Sequence, residues 1–205
     1  LVRSRGLGDV YKRQSKYITR LTMLLCNFIQ NFKTQGYDQS KFDKFASETK
    51  NVRTKLFLDI CRLCYLEYQQ ALEEEHSIDF EDMINESARI IHDKQVAKEK
   101  LLFKYIIVDE YQDISRQRYN LINELSKLCS AKIVAVGDDW QSIYAFSGSI
   151  LPLFTRFCQE FGYGQELKIT KTYRNAQELI DIAGNFIQKN STQIKKQLIL
   201  SLIHI

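Results

Sequence analysis

Lys104-Tyr105-Ile106-Ile107-Val108-Asp109-Glu110-Tyr111-Gln112-Asp113 is a short apolar run that ends abruptly in three carboxylates and an amide. Tyr105 to Val108 are β-branched or aromatic without polar alternation, which predicts a strand covered on both faces in a parallel sheet. Such sheets bind ligands where their strands end. At that edge Asp109 and Glu110 leave the strand in opposite directions, and two ionised groups so close repel unless something cationic sits between them. Magnesium carried by a nucleotide triphosphate meets that demand. The plainer reading is that Asp-Glu only begins a helix.

An apolar strand followed by Asp-Glu is the Walker B arrangement, in which the first carboxylate holds the metal and the second orients or deprotonates the attacking water. Residues 115–129 then place Tyr119, Leu121, Ile122, Leu125 and Leu128 on one side of a crossover helix. That helix leads to a second apolar strand, Lys132-Ile133-Val134-Ala135-Val136-Gly137, so the pattern predicts a parallel βαβ unit. The second strand also ends in a polar cluster, Gly137-Asp138-Asp139-Trp140-Gln141-Ser142-Ile143-Tyr144-Ala145-Phe146-Ser147-Gly148-Ser149. Ser149 is a candidate cap for a helix through Phe161, with Pro152 in its first turn and Gly162 to Gly164 ending it. Leu167 to Asn175 reads as a third strand ending in Tyr173 and Arg174, and Arg174 to Lys189 as a last helix.

Three of these stretches resemble, in order and at the right spacing, motifs of the UvrD/Rep-type superfamily-one DNA helicases. Asp109 to Asp113 looks like motif II, Val136 to Ser149 like motif III, and Thr172-Tyr173-Arg174 like motif IV. The wording of Gly137 to Tyr144 and of Phe146-Ser147-Gly148 is more similar to the helicase IV branch than to UvrD itself. The resemblance implies ATP and Mg2+ as cofactors and single-stranded and duplex DNA as partners. It implies that Asp109 holds the magnesium, that Glu110 acts on the attacking water, and that Gln112 and Asp113 link the nucleotide site to neighbouring motifs. Gln141 would sense the γ-phosphate, Tyr173 would stack on the adenine, and Arg174 would approach the γ-phosphate and stabilise transition-state charge. Tyr144 and Phe146 stand where the family stacks aromatics on the bases of single-stranded DNA. Stacking suits a motor because every base has a π-face, so grip is independent of sequence. Many relatives carry tryptophan at the position of Phe146 and arginine at that of Ser147; the first difference keeps a stacking surface and the second removes one charged contact. The plainer alternatives are loop amides for Gln112 and Gln141, a surface ion pair for Arg174, a buried loop aromatic for Phe146, and packing for Trp140.

Residues 15–100 read as a helical subdomain. Tyr17, Leu21, Leu24, Leu25 and Phe28 recur at helical spacing, as do Leu56, Ile60, Leu63 and Leu66, and both stripes are expected in the core. Gly36 breaks the first helix, and Ser77 or Asp79 caps the helix that opens with Asp79-Phe80-Glu81-Asp82. That opening also resembles a segment ahead of motif II in these helicases. Lys94, Lys98, Lys100 and Lys104 are either phosphate contacts or a solvated face. Residues 1–14 look like a translated linker outside the fold, and residues 200–205 like a non-native tail. The four basic residues and one acid of that linker account for three of the four net positive charges, so the basic balance says almost nothing about nucleic acid.

No run is long enough for a membrane span and no signal peptide is visible, which predicts a cytoplasmic protein with no membrane partner. Five scattered cysteines read as reduced thiols; Cys61 and Cys64 have metal-ligand spacing without a second pair, so two thiols on the apolar side of a helix is the favoured reading. No Gly-x-x-x-x-Gly-Lys-[Ser/Thr] occurs anywhere in the sequence. The expectation is therefore an α/β fragment: a partial RecA-like (P-loop NTPase) parallel sheet with a helical N-terminal subdomain, lacking the remainder of its own chain. Residues 101–165 would be the C-terminal part of a first motor domain and 166–199 the start of a second. The functional expectation is a piece of an ATP-dependent DNA helicase that translocates on single-stranded DNA and unwinds duplex. The alternative is a non-catalytic ATPase-like nucleic-acid-binding module.

Overall fold

The computed structural model describes residues 2–96, 101–162 and 164–201, the first thirteen of them by backbone alone. The described residues are mixed α/β, mostly helical, with two small parallel sheets. It divides into two compact units, residues 1–95 and 96–205.

The described residues of the first unit form four helices: α1 (Val2–Thr34), α2 (Ser40–Glu48), α3 (Val52–Glu74) and α4 (Phe80–His92). The backbone of residues 2–14, expected outside the fold, continues α1. Gly36, at φ 68°, ends that helix in a Schellman motif: its N–H reaches Lys33 O at 2.8 Å and the Tyr37 N–H reaches Phe32 O at 3.3 Å. The turn drops the Tyr37 ring onto Phe32, centroids 5.4 Å apart, and leads into α2, whose Phe42 stacks on Phe32 at 4.3 Å. Phe32, Phe42, Leu58 and Cys61 form the buried centre, with Leu25, Phe28, Phe57 and Tyr65 against it.

The expected stripes are only partly the core. Leu25 and Phe28 join it, but Tyr17, Leu21 and Leu24 are exposed, and so are Leu56, Ile60, Leu63 and Leu66. α3 is apolar around much of its circumference, and the face bearing Phe57, Leu58, Cys61 and Tyr65 wins because it meets the aromatic side chains of α1 and α2. Cys61 is a buried thiol, pushed up to about 11 by desolvation and by neighbouring Cys64. Among the described residues no cluster of His, Cys, Asp and Glu could hold a metal ion by itself.

α4 is fastened by a buried cation. Asp79 caps the helix, its side chain accepting the Asp82 N–H at 2.7 Å. Lys33, 1% exposed, donates to both Asp79 and Asp82, the latter at 2.6 Å. Tyr68 Oη donates to Asp79 at 2.9 Å, Gln69 to Asp82 at 3.1 Å, and Asn85 to the Lys33 carbonyl at 2.9 Å. One buried ammonium thus ties α1, α3 and α4.

In the second unit, β1 (Tyr105–Val108) and β2 (Lys132–Ala135) pair in parallel, Tyr105 opposite Lys132 and Val108 opposite Ala135. The crossover is α5 (Arg116–Cys129). Tyr111, Ile114, Tyr119 and Leu153 form the core, reinforced by Phe154 of α6 (Leu151–Thr155), Phe157 of α7 (Phe157–Glu160) and Phe161 just beyond it. The predicted single helix from Ser149 is broken at Arg156. Ser149 does not cap it: Ile150 occupies that position, and Ser149 instead bridges Ser115.

The predicted cover on both sheet faces is also corrected. Ile106 and Val108 are half-buried, whereas Tyr105 and Ile107 are exposed, as is Val134 on β2. The core around Tyr111 and Leu153 lies against one face, and the described residues supply no second layer. Of the third strand only β3 (Lys171–Thr172) forms, and it pairs with β4 (Ile199–Leu200) rather than joining β1 and β2. α8 (Gln177–Ile187) connects them. Leu200, expected in a non-native tail, lies in β4, and the N–H of Ser201 just beyond it reaches Thr172 O at 2.8 Å; residues 202–205 lie outside the described residues. Lys98 and Lys100 lie outside them too, while Lys94 and Lys104 are exposed. Among the described residues no helix is long and apolar enough to cross a membrane.

Removing one partner of a buried, paired charge leaves the other uncompensated. Lys33→Ala should therefore lower the stability of the chain by about 3–5 kcal/mol in urea unfolding, and a loss below about 1 kcal/mol would contradict the arrangement. Burial alone would raise the Asp79 carboxyl, but hydrogen bonds from Lys33, the Asp82 N–H and Tyr68 outweigh it and hold it below 3.8. A depressed carboxylate contributes its stability above its ordinary value and loses it as pH falls through the folded one. The wild-type chain should thus lose stability below about pH 4 more steeply than Asp79→Asn.

Candidate functional site

The two polar clusters come together at the carboxyl ends of β1 and β2. Val136 N–H continues the ladder to Val108 O at 2.8 Å, and Tyr111 N–H returns to Val136 O at 2.9 Å. The chain leaves β1 through Asp109 and turns at Glu110, which stands in the left-handed region at φ 50°, ψ 41°. For a non-glycine residue that conformation costs about 1–2 kcal/mol, held here by the surrounding bonds. Asp109 Oδ1 accepts the Glu110 N–H at 2.9 Å. Both carboxylates face solvent.

Gln112 is the joint. It is 2% exposed; its Nε2 donates to Glu110 Oε2 at 2.8 Å and its Oε1 accepts the Asp138 N–H at 2.9 Å. Asp138 Oδ2 in turn accepts from Gln141 Nε2 at 2.8 Å. An unbroken hydrogen-bonded path therefore runs Glu110, Gln112, Asp138, Gln141, from the end of one strand to the end of its neighbour. Asp113 has one oxygen buried without a partner, and desolvation with the nearby Glu110 charge raises its carboxyl.

Beyond Gln141 the loop winds into a short 3-10 turn, Ala145–Ser147, that presents two rings to solvent. Tyr144 and Phe146 lie with centroids 5.9 Å apart at 50°. Phe146 is 78% exposed, which removes the reading as a buried loop aromatic. Trp140 packs on Gly184 of α8 and donates Nε1–H to Ile194 O at 3.2 Å. Tyr173 and Arg174 follow β3 and are exposed; among the described residues no hydrogen bond, ion pair or ring contact joins them to the path from Glu110 to Gln141.

Asp138, Asp139, Lys196 and Gly137 had no assigned part in the sequence reading. Asp138 and Asp139 are held by Lys196, a long-range pairing without a local signal. Gly137 is required by contact: a Cβ there would lie 2.5 Å from Gln112 Oε1 and 3.1 Å from Tyr111 N. Its place at a strand end next to the polar run is the only signal the sequence carries for it.

Metal donors at the site are oxygens, with the exposed carboxylates of Asp109 and Glu110 at the strand end. That set suits a hard cation that keeps waters and shares its sphere with phosphates, as magnesium does, and does not suit a closed zinc cage. Because a methyl on Gly137 must push Gln112 away from Asp138, Gly137→Ala should destabilise the chain by about 1–3 kcal/mol in urea unfolding. An unchanged midpoint would mean that Gln112 does not bridge the strands.

A profile of the UvrD/REP helicase N-terminal domain matches residues 5–162. DNA helicase IV of Escherichia coli is 39% identical over 132 residues, covering 64% of this chain and 19% of that protein. ATP-dependent DNA helicase UvrD1 of Mycobacterium tuberculosis is 28% identical over 202 residues, 95% of this chain and 25% of the relative. DNA helicase II of Rickettsia typhi is 30% identical over 185 residues, 89% of this chain and 27% of the relative. The chain thus spans about a fifth to a quarter of the length of these proteins. With the match to the domain profile running through most of its length, the chain belongs to the UvrD/REP helicase N-terminal domain family.

Proposed function

We propose that this chain carries part of the ATP site and part of the DNA track of a helicase that couples ATP hydrolysis to movement along single-stranded DNA and to duplex unwinding. The observation that supports it best is the hydrogen-bonded path from Glu110 through Gln112 and Asp138 to Gln141 across two parallel strand ends. In this reading β1, α5 and β2 are part of a RecA-like motor domain, and the segment from residue 166 onward opens a second one.

Asp109 would hold magnesium, which when bound neutralises charge on the nucleotide phosphates. Glu110 stands beside it, its carboxylate held at one oxygen by Gln112, so that the other oxygen is left to accept a proton from the attacking water. Gln141 senses the γ-phosphate by trading its bond to Asp138 for one to phosphate oxygen. Arg174 supplies positive charge to the transition state and Tyr173 a stacking face for the adenine; both are exposed, and domain closure over nucleotide would bring them in. The path through Gln112 makes the state of the nucleotide felt at the loop that carries Tyr144 and Phe146, which stack on the bases.

In the longer helicase, Glu110→Gln should keep nucleotide binding and abolish turnover, since the amide preserves shape without accepting a proton. Asp109→Ala should weaken binding of the magnesium nucleotide and lower the rate together. Equal loss of binding in both variants, with proportional residual turnover, would contradict the division of roles.

Phe146→Ala should weaken single-stranded DNA binding by about 1–3 kcal/mol and Phe146→Trp should be tolerated. Because the ring is exposed, Phe146→Ala should change stability by less than about 0.5 kcal/mol and leave ATPase without DNA intact. Unchanged DNA affinity would remove Phe146 from the track.

A further inference from the structure

Segment 193–196, beyond α8, grips three consecutive residues of the loop that carries Gln141. Lys196 Nζ donates to Asp138 Oδ1 and, at 2.9 Å, to Asp139 Oδ1. Its ammonium lies 4.7 Å from the centre of the Trp140 ring, and its side chain is 13% exposed. The other Asp139 oxygen accepts the Ile194 N–H at 2.6 Å, while Trp140 donates back to the Ile194 carbonyl. Asp139 is 1% exposed. Two adjacent carboxylates, one of them buried, repel each other without a shared cation. Lys196 is that cation.

Gln141 hangs from the same carboxylate. Lys196 and, at 3.1 Å, the Trp140 N–H bind one oxygen of Asp138, and Gln141 Nε2 binds the other. For the Gln141 amide to reach a phosphate it must leave Asp138, and a partly buried carboxylate left with a single backbone N–H and no cation would resist that exchange. With Lys196 in place Asp138 stays paired when Gln141 departs. Burial would raise the Asp138 carboxyl, yet the bonds from Lys196 and Gln141 outweigh it and keep it below the usual carboxylate range. The carboxylate is thus ionised and available to take Gln141 back.

We propose that Lys196 is a positioning residue for the nucleotide site: it fixes the Asp138–Asp139 turn and lets Gln141 exchange between Asp138 and phosphate. This rests on the reading of Gln141 as the phosphate sensor, and the experiment separates the two.

Trp140 is the sole tryptophan of the sequence, so its fluorescence reports the clasp directly in the 205-residue chain. Lys196→Met should shift its emission and raise acrylamide quenching about twofold, while Lys196→Arg stays near the parent. Unchanged emission and quenching in Lys196→Met overturns the proposal. In the longer helicase Lys196→Met should lower kcat about tenfold, with KM for ATP moving less than about threefold and Lys196→Arg restoring most of the rate. Adding Gln141→Ala to Lys196→Met should then cost less than about twofold more. If the Met protein unfolds, Lys196→Gln against Lys196→Arg carries the same comparison. Independent, multiplying losses, or an unimpaired kcat in Lys196→Met while Gln141→Ala alone is inactive, overturn the positioning role and leave Gln141 as sensor. Full ATPase activity in Gln141→Ala alone overturns the reading of Gln141 itself, and the proposal with it.

Discussion

A single buried amide holds the candidate site together. Gln112 uses its donor on Glu110 and its acceptor on the Asp138 N–H, so the ends of two strands cannot move independently. An amide buried between the strand ends must satisfy both of its ends or incur the desolvation penalty, and this geometry leaves one solution. The absence of a side chain at Gly137 and the left-handed turn at Glu110 are both consequences: one makes room for the amide and the other aims a carboxylate at it. Strain at Glu110 is tolerated because the bonds around it over-determine the turn.

The same economy governs the helical unit. A lysine with almost no solvent exposure is stable only because two carboxylates, a phenol and an amide complete the network around it. The Asp79 cap and the Lys33 network are one device, since the carboxylate that satisfies the start of α4 also compensates the buried charge. In both units, a lysine paired with two acids joins elements distant in sequence: Lys33 with Asp79 and Asp82, Lys196 with Asp138 and Asp139.

Local patterns foretold the βαβ unit, the Gly36 stop, the Asp79 cap and the apolar setting of Cys61, because each is decided within a few residues. The sequence could not say which face of α3 is buried, since Leu56, Ile60 and Leu63 are as apolar as Phe57, Leu58 and Cys61, and tertiary contact with Phe32 and Phe42 decides between them. Nor could it show that Ile107 faces solvent, because an unbroken apolar run states what a strand tolerates and not how many layers cover it. Lys33 and Lys196 look like any other surface lysine until the fold brings acids to them. Of the candidate site, Asp109 and Glu110 stood out by type and by their place at a strand end, and Gln112 and Gln141 through the resemblance alone; Gly137 and Lys196 gave no such signal, because their contacts are set by the fold.

In the function proposed above, the carboxyl ends of β1 and β2 would hold a magnesium nucleotide. A crystal structure of the longer helicase with magnesium and a non-hydrolysable ATP analogue tests it most directly. The metal should lie on Asp109, directly at about 2.0–2.1 Å or through one water, with the Gln141 amide turned from Asp138 to the γ-phosphate. Phosphates bound away from these strand ends, with Gln141 still on Asp138, would contradict it.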